Sequence, residues 1–345
     1  MGRTVAIAGA TGAVGRDLRR LLEEREFPLD EVRFLASERS AGRELAFGGE
    51  RVVVGALSAP DAFDGVDLAL FSAGGGRSRE HAPRAVEAGA IVVDNSSAWR
   101  MDPEVPLVVT EVNAGALAAR PPKGIVANPN CTTMVAMLPL KALHDAFGLE
   151  GFTATSYQAA GGAGQKGMDE LMAQVPVLAE QPGLLRSDGA AAAKLVGHHV
   201  HAATLAFNVV PRLGAVEDDG YTDEERKLVD ESRKILGIAD LAVAPTCVRV
   251  PVMVGHAIQV RAHLAVEADV DAAIAAMDGF PGLVLDDLPT PLEWAGRDEV
   301  AVGRIRRDLV DQRALNLWVV GDNLLKGAAL NTVQLGELLV ERGHV

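Results

Sequence analysis

This sequence has few cysteines and no long apolar run. Its 345 residues include only Cys131 and Cys247, too few for a disulfide framework and typical of a reducing compartment. No apolar stretch approaches the ~18 residues that a membrane-spanning helix requires. No basic segment followed by an apolar one precedes the first strand, so a secretory signal is not expected. These absences predict a cytoplasmic protein with no membrane partner.

Positive charge is also scarce. Thirty-three Lys and Arg residues against 47 Asp and Glu residues give a net charge of −14, with no basic cluster. The chain therefore lacks the electrostatic footprint of a nucleic-acid binder, and we expect a small-molecule substrate. The hydrophobic fraction of 48% is enough for a large core and two domains.

Cys131 lies where a predicted strand gives way to a predicted helix. The segment 125–128 has the pattern of a buried strand end, and Pro129 and Asn130 have that of a turn. Residues 132–147 have the pattern of an amphipathic helix. The sulfur would then lie among the free N–H groups of a helix N-terminus, which favours the thiolate. A thiolate attacks carbonyl carbons, so Cys131 is a candidate nucleophile.

The N-terminal segment predicts a dinucleotide-binding turn. An apolar strand over Thr4–Ala8, a glycine-rich turn, a helix through Glu24 and a second strand over Val32–Ala36 follow one another. This arrangement lets the backbone approach a pyrophosphate at the helix N-terminus. The residues expected to meet the cofactor here are Gly9, Thr11, Gly12, Ala13, Val14 and Gly15.

The residues that follow the second strand should select the cofactor. An acidic residue there holds the ribose of NAD, whereas arginine accommodates the 2′-phosphate of NADP. Arg39, with Ser37 and Ser40 nearby, predicts a phosphate cradle and favours NADP, while Glu38 leaves NAD open. The alternative is that Glu38 and Arg39 are solvated loop charges.

Alternating strands and helices continue and predict a doubly wound parallel sheet, the Rossmann-type α/β fold. Further strands are expected over Leu68–Phe71 and Ile91–Asp94. Ligands of such sheets lie at the carboxyl ends of strands, so Ser72 and Gly74 are expected near the cofactor. Arg100 is expected at the same edge of the sheet and is a candidate anion ligand. The alternative is an exposed surface arginine, as would be assumed for any single arginine.

The region after the Cys131 helix predicts a second domain. Phe152–Gln158 is expected as a strand that runs into a flexible polar loop, where Gln158 would orient an acyl group by hydrogen bonding. Arg249 lies in an apolar strand, so its charge should have an anionic partner, either structural or on the substrate. His256 begins the next strand on its apolar face and is either a hydrogen-bonded core residue or the general base for a thiol. Cys247 is better explained as a small buried hydrophobe.

A helix is expected to begin at Tyr221 with a capping box between Thr222 and Glu225. Glu224 and Lys227 then share one helix face. They form either a solvated ion pair or a pair of ligands for an ammonium and a phosphate group.

Three clustered histidines suggest a zinc site at first. No cysteine or carboxylate completes a ligand set at a recognised spacing around His198, His199 and His201, so no metal is expected.

Several segments together resemble the aspartate-β-semialdehyde dehydrogenase family, in the family's order over nearly the whole chain. They are Gly9–Gly15, Asp94–Arg100, Asn128–Cys131, Tyr157–Ala160, Phe207–Pro211, Arg249–Val252 with His256, and Asp322–Ala329. The resemblance implies reduction of L-4-aspartyl phosphate by NADPH to L-aspartate 4-semialdehyde and phosphate, in the biosynthesis of lysine, threonine and methionine. It also implies self-association as a homodimer or tetramer.

The resemblance implies a domain plan and residue roles. Residues 1–128, completed by a C-terminal helix at 324–345, would form the nucleotide domain, and 129–323 a catalytic and dimerisation domain like that of glyceraldehyde-3-phosphate dehydrogenase. By position, the implied roles are Cys131 as nucleophile, His256 as acid/base, Gln158 as acyl-orienting group, Arg249 and Glu224 as ligands of the substrate carboxylate and ammonium, Arg100 and Lys227 as phosphate ligands, Asn130 as a substrate contact, and Gly161, Gly162 and Asn323 as cofactor contacts.

Some positions depart from the family pattern. Gly161 stands where serine is common, residues 132–135 read Thr-Thr-Met-Val rather than Ser-Thr-Ile-Gln, and Glu38 precedes the 2′-phosphate residues. These departures leave the cofactor preference less defined than the reaction.

Other functions compete with this one. N-acetyl-glutamyl-phosphate reductases use the same chemistry, but their cysteine usually follows Pro-Gly, and here Asn130 precedes it. Glyceraldehyde-3-phosphate dehydrogenases share Cys-Thr-Thr, but asparagine should follow where Met134 stands. A non-catalytic NADP-binding sensor would be expected to have lost Cys131 or His256.

Overall fold

The computed structural model describes residues 2–345, and the chain divides into two units. The first unit runs to Asn130 and includes Lys234–Gly237 and Leu324–Val345. The second comprises Cys131–Arg233 and Ile238–Asn323.

The first unit is built on a six-stranded parallel sheet. Its elements as far as Asn130 are β1 (Thr4–Ala8), α1 (Ala13–Glu24), β2 (Glu31–Ala36), β3 (Glu44–Phe47), β4 (Glu50–Val53), β5 (Gly55–Ala56), β6 (Leu68–Phe71), α2 (Gly75–Glu87), β7 (Ile91–Asp94), α3 (Thr110–Asn113) and β8 (Ile125–Ala127). The sheet order is β5-β2-β1-β6-β7-β8, and β3 and β4 form a separate antiparallel hairpin. The predicted doubly wound sheet is confirmed, and the order reverses between β1 and β6, where such folds bind their ligands.

The second unit is built on a mixed six-stranded sheet. Its elements are α4 (Cys131–Phe147), β9 (Leu149–Gln158), α5 (Gly164–Ala179), α6 (Pro182–Ser187), α7 (Gly189–Ala193), α8 (Asp223–Leu236, whose last three residues belong to the first unit), β10 (Ala242–Arg249), β11 (His256–Leu264), α9 (Val270–Met277), β12 (Leu283–Leu285), α10 (Pro291–Trp294), β13 (Val300–Arg307) and β14 (Ala314–Gly321). The sheet order is β10-β9-β11-β14-β13-β12. The chain thus combines a parallel α/β unit with an α+β unit, as predicted.

The register of this mixed sheet places several polar residues in one row. Arg249 lies opposite Gln158 in the β10–β9 pair, and His256 lies opposite Gly321 in the β11–β14 pair. Because Ala257 pairs with Tyr157, the next step of the antiparallel β11–β9 ladder brings His256 level with Gln158. Arg249 and Gln158, the last residues of β10 and β9, therefore lie level with His256, the first residue of β11.

Helix α4 packs on this sheet close to that row. A Cβ atom added to Gly321 would lie 2.9 Å from a methyl group of Val135, so only glycine permits this approach. The close packing fixes α4, and with it Cys131, against the end of the sheet that carries His256.

Two local predictions about this unit were wrong. The segment after Gln158 is not a flexible polar loop, because Ala159, Ala160 and Gly161 are buried and a 3₁₀ turn over Ala160–Ala163 leads into α5. Helix α8 begins at Asp223 and not at Tyr221, since Thr222 is the residue that caps it.

The chain ends in the first unit with a π-helical turn over Leu325–Ala329 and helix α11 (Leu330–Glu341). Lys326 of that turn is 1% exposed. Its ammonium group donates to the Glu111 carboxylate and to Oε1 of Gln334 at 2.8 Å. Burial alone would raise the pKa of Glu111, but the Lys326 charge together with the hydrogen bonds that the carboxylate accepts holds that pKa below its usual value. This buried pair ties the last helix to α3.

No helix among residues 2–345 is both long enough and apolar enough to cross a bilayer.

We predict that breaking the buried pair on one side costs more stability than removing it whole. Glu111→Leu strands the Lys326 ammonium in the interior and should lower the free energy of unfolding by about 3–5 kcal/mol. Adding Lys326→Met to that variant should recover part of the loss, because no unpaired charge remains. Urea titrations of the three proteins measure both changes. A double variant less stable than Glu111→Leu would show that Lys326 does not depend on the Glu111 charge.

Candidate active site

Cys131 is the first residue of α4, so the predicted position of its thiol at a helix N-terminus is confirmed. The thiol is partly buried, and its Sγ lies 3.3 Å from Nε2 of His256. The free N–H groups of the first helical turn favour negative charge on the sulfur. The pair has the composition of an activated nucleophile with its imidazole partner.

His256 is fully buried, and both of its ring nitrogens have partners. Nδ1 accepts the backbone N–H of Ala159 at 3.1 Å, while Nε2 faces the Cys131 sulfur. Burial lowers the pKa of the imidazole to about 3, and the charge of Arg249 acts in the same direction. The ring is therefore neutral at physiological pH.

Gln158 and Glu224 form a hydrogen-bonded polar pair in the same unit. Gln158 is 1% exposed, and its Nε2 donates to Oε1 of Glu224 at 3.0 Å. Lys227 donates to Oε2 of Glu224 at 3.1 Å and to Asp223. Burial works against the charge on Lys227, but the two carboxylates outweigh it and raise its pKa. The predicted pairing of Glu224 with Lys227 on one helix face is confirmed.

Glu225, the neighbour of Glu224, has structural contacts instead. Its Oε2 accepts the backbone N–H of Thr222 at 2.8 Å, and its own N–H donates to the Thr222 hydroxyl. Its Oε1 accepts the backbone N–H of Cys247 at 2.9 Å. The predicted capping box is confirmed, and it also connects α8 to β10. Cys247 is buried, and burial raises the pKa of its thiol to about 12, which agrees with a structural role.

Arg249 approaches the Cys131–His256 pair from β10. Its Nη1 donates to the Ala159 carbonyl at 2.7 Å. Burial lowers the pKa of the guanidinium, and the Glu224 carboxylate opposes this effect. A Cβ atom at Gly162 would lie 2.7 Å from that Nη1 and 3.3 Å from Cε1 of His256, so a side chain there would displace the Arg249 guanidinium.

A cavity of about 410 Å³ opens beside Arg249. Its lining includes Ala163, His201 and Arg212. His201 is held by Glu170, which accepts the backbone N–H groups of residues 199, 200 and 201. No local pattern pointed to Arg212, because only the folded chain places it in the same cavity as Arg249.

Asn323 follows β14 and has an unusual amide group. Its side chain is 2% exposed, and its Oδ1 accepts the backbone N–H of Gly255 at 2.9 Å. Within residues 2–345 its Nδ2 has no hydrogen-bond partner. It lies 3.5 Å from where a Cβ atom of Gly161 would be. The Nδ2 group of this buried amide can therefore donate a hydrogen bond to an acceptor atom of a ligand.

In the first unit, Arg100 is 7% exposed, so the alternative of a surface arginine is wrong. Its Nε donates to the Asn128 carbonyl at 2.9 Å and its Nη2 to the Asn95 carbonyl at 2.8 Å. The two asparagines are joined by a side-chain hydrogen bond of 2.8 Å, and Asn331 of α11 donates to Oδ1 of Asn128. Asn128 and Asn331 therefore support Arg100. Of these two, only Asn128 belongs to a segment that carried the family resemblance.

The glycine-rich turn after β1 fits a dinucleotide. Gly9 has φ of 96°, and a side chain there would lie 2.3 Å from the Ser72 carbonyl oxygen. Gly12 caps α1 without a side-chain acceptor, and the first turn of α1 has no acidic residue. The exposed Gly12 and the partly exposed Thr11, Ala13 and Val14 leave the helix N-terminus open to an anion.

The segment after β2 forms a short 3₁₀ turn over Glu38–Ser40. Arg39 is exposed, Ser37 is partly buried and Ser40 is buried. The Ser58 hydroxyl donates to the Glu38 carboxylate, and this hydrogen bond leads the effects that lower the pKa of Glu38. Glu38 therefore has a protein partner, which the sequence alone did not indicate.

The remaining predicted contacts lie at ends of strands or helices. Ser72 follows β6, and Gly74 precedes α2 with φ of 88°. Asn130 is 8% exposed and stands directly before Cys131. Among residues 2–345, no group of three His, Cys, Asp or Glu side chains is placed to hold a metal ion.

Comparison with known proteins agrees with this geometry. Residues 4–120 match the family model of the semialdehyde dehydrogenase NAD binding domain, and residues 140–326 match that of the dimerisation domain. The chain is 51% identical to an aspartate-semialdehyde dehydrogenase of Corynebacterium glutamicum, over 98% of this chain and 99% of the relative. It is 44% identical to one of Aquifex aeolicus, with all of both chains covered.

A solved structure leads to the same family. Aspartate semialdehyde dehydrogenase II of Vibrio cholerae, complexed with ASA, superposes with a TM-score of 0.92 at 42% identity, and 99% of each chain is covered. The resemblance inferred from the motifs is thus confirmed, as is a nucleotide-binding role of the NAD(P) type for the first unit. The chain belongs to the aspartate-semialdehyde dehydrogenase family.

Proposed function

We propose that the chain catalyses the NADPH-dependent reductive dephosphorylation of L-4-aspartyl phosphate to L-aspartate 4-semialdehyde and phosphate. The observation that carries this proposal is the 3.3 Å approach of the Cys131 sulfur to His256 at the N-terminus of α4, in a chain of this family. The reaction would serve the biosynthesis of lysine, threonine and methionine.

Cys131 is the proposed nucleophile. Its sulfur attacks the acyl carbon, the C–O bond to phosphate breaks, and a thioester remains on the enzyme. Gln158 ends β9 in the same row as His256 and can hold the acyl oxygen through its amide group. A thioester retains an electrophilic carbon, which a hydride then reduces to the aldehyde.

Arg249 and Glu224 are the proposed ligands of the substrate's carboxylate and ammonium groups. Arg249 borders the 410 Å³ cavity, and Glu224 is held toward Gln158 by a hydrogen bond of 3.0 Å. A guanidinium suits a carboxylate, and a carboxylate suits an ammonium group.

Arg100, Lys227 and Asn130 are the proposed ligands of the phosphate. The Arg100 guanidinium is oriented by two backbone carbonyls, and Lys227 keeps its charge beside Glu224 and Asp223. Arginine and lysine donate strong charge-assisted hydrogen bonds to phosphate oxygens.

NADPH is the proposed cofactor, and when bound it would supply the hydride. The first unit would hold it through residues 9–15, through Ser72 and Gly74, and through Ser37, Arg39 and Ser40 at the 2′-phosphate. The open helix N-terminus at Gly12 and the exposed Arg39 support this assignment, and Glu38 is engaged by Ser58. In the second unit, Gly161, Gly162 and the spare amide donor of Asn323 are proposed for the nicotinamide end.

The proposed setting is a cytoplasmic homodimer or tetramer that has no nucleic-acid or membrane partner. The match of residues 140–326 to a dimerisation domain supports self-association. Apolar side chains of that region also stay exposed in the single chain, among them Met172 (55%), Phe207 (56%) and Val209 (55%).

The reverse reaction tests the proposed activity. With L-aspartate 4-semialdehyde, phosphate and NADP, the wild-type protein should produce reduced cofactor, and NAD should work less well because it lacks the 2′-phosphate. Cys131→Ala should abolish this activity, since no thioester can form. Cys247→Ala is the matched control and should keep most of it, because that thiol is buried and structural.

The outcomes separate the alternatives. No turnover by a wild-type protein that still binds nucleotide would point to a non-catalytic sensor. Turnover only with the N-acetylglutamate analogue of the semialdehyde would point to an N-acetyl-glutamyl-phosphate reductase. Equal rates in wild type and Cys131→Ala would contradict the assigned nucleophile.

Two adjacent glutamates should give different defects. Glu224→Ala should raise the KM for the semialdehyde strongly, because it removes the proposed ammonium ligand. Glu225→Ala should instead lower the free energy of unfolding by about 1–3 kcal/mol, since two buried N–H groups lose their acceptor. Steady-state kinetics and urea titration of both variants measure this split, and equal kinetic damage from both would refute it.

A further inference from the structure

The segment that carries Arg100 is held by a lysine from a distant part of the sequence. Residues 100–105 form turns and bends, with no helix or strand among them. Nζ of Lys234 donates to the backbone carbonyls of Arg100 and Asp102 at 2.7 Å each, and to that of Val105 at 2.8 Å. Lys234 and this segment both belong to the first unit. One ammonium group thus connects the two ends and the middle of the segment.

These contacts match the donor capacity of Lys234. An ammonium group has three N–H donors and no acceptor, and three carbonyls surround this one. The donors are therefore directed to the protein's own backbone, and Lys234 is not itself a phosphate ligand. Hydrogen bonds from a charged donor are about twice as strong as neutral ones, so Lys234 restrains this segment firmly.

Arg100 is consequently fixed at both of its ends. Its guanidinium donates to the carbonyls of Asn128 and Asn95 at 2.9 and 2.8 Å, and its own carbonyl accepts Nζ of Lys234. The first two contacts orient the charged group, and the third holds the backbone from which the side chain extends. The position of the guanidinium therefore depends on Lys234, although the two residues are 134 positions apart in the sequence.

We propose that Lys234 is a positioning residue, which holds residues 100–105 so that the Arg100 guanidinium stays where the phosphate binds. This inference rests on the proposed function, in which Arg100 is a phosphate ligand. Without the ammonium group the three carbonyls would have to turn to water, and the segment would gain conformational freedom. A misplacement of ~1 Å in a group that positions a substrate can lower a rate about 100-fold.

Lys123 contacts the same segment in a different way and provides a matched control. Its Nζ donates to the Asp102 carboxylate at 2.6 Å and lies 3.1 Å from the Glu104 carboxylate. Side chains and not backbone carbonyls are its partners, and the Glu104 side chain is 63% exposed. Exposed ion pairs of this kind contribute little to stability. Removing Lys123 should therefore leave the backbone at Arg100 in place.

The proposed reaction, run in reverse, separates a phosphate defect from general damage. The semialdehyde and NADP first form the thioester and release reduced cofactor, and this stage needs no phosphate. Phosphate enters only afterwards, to cleave the thioester. Stopped-flow absorbance without phosphate measures the first stage as a burst of reduced cofactor, and steady-state rates at increasing phosphate concentration give the KM for phosphate.

Lys234→Met should damage the second stage alone. We expect its KM for phosphate to rise about tenfold or more, the effect of losing one hydrogen bond to a charged group, while the burst keeps the wild-type rate and amplitude. Lys123→Met should match the wild type in both stages. If Lys234→Met does not fold, Lys234→Gln takes its place with the same expectation, because its shorter amide cannot reach all three carbonyls. Circular dichroism establishes that each variant is folded.

A double variant tests whether Lys234 acts through Arg100. Arg100→Lys keeps a positive charge but loses the guanidinium that the carbonyls of Asn95 and Asn128 orient. In that background, adding Lys234→Met should change the KM for phosphate less than about twofold, because the group to be positioned is gone. A further tenfold rise would show that Lys234 acts independently of Arg100 and would overturn the proposal.

The remaining outcomes distinguish this inference from the proposed function. A burst and a phosphate-dependent rate that fall by equal factors in Lys234→Met would show a purely structural role. An unchanged KM for phosphate in a folded Lys234→Met protein would also overturn the inference, and the proposed function would stand. A wild-type protein with no phosphate-dependent turnover would overturn the proposed function, and with it the role of Lys234.

Discussion

The register of the mixed sheet is the constraint on which the catalytic geometry depends. Strands β10 and β9 end, and β11 begins, at one level, so Arg249, Gln158 and His256 meet without any contribution from a long loop. Helix α4 packs on the same sheet where Gly321 leaves room for Val135, and its first residue is Cys131, the proposed nucleophile. A one-residue slip in β9 would turn Gln158 to the opposite face and move the Ala159 N–H away from His256.

The backbone therefore helps to position the polar side chains of this row. The N–H of Ala159 donates to Nδ1 of His256, and its carbonyl accepts Nη1 of Arg249. In the first unit the pattern repeats, because the carbonyls of Asn95 and Asn128 orient the Arg100 guanidinium. Backbone groups at strand ends are rigid, so they hold charged side chains at fixed positions at little entropic cost.

Local patterns in the sequence predicted much of this structure. Strands β1, β6 and β7 have the expected bounds, because each is a short apolar run buried on both faces of a parallel sheet. The helix start at Cys131 and the capping box of Thr222 and Glu225 also followed from short-range signals.

Contacts between distant segments could not be predicted from such patterns. The buried Lys326–Glu111 pair joins residues 215 positions apart, and the Ala159–His256 hydrogen bond joins residues 97 positions apart. The glycines at 161 and 162 suggested a mobile loop, yet they lie in a 3₁₀ turn in which Gly161 is buried and packs against Met253. These features depend on register and packing, which residue-by-residue propensity does not contain.

The proposed reaction depends on a thioester between the Cys131 sulfur and the acyl carbon of the substrate. Its most direct test is rapid acid quenching after mixing the protein with L-aspartate 4-semialdehyde and NADP in the absence of phosphate, followed by mass spectrometry of the peptides. We expect an aspartyl group on the peptide that contains Cys131, and its loss when phosphate is added before quenching. Turnover on addition of phosphate with no acyl group ever found on Cys131 would contradict it.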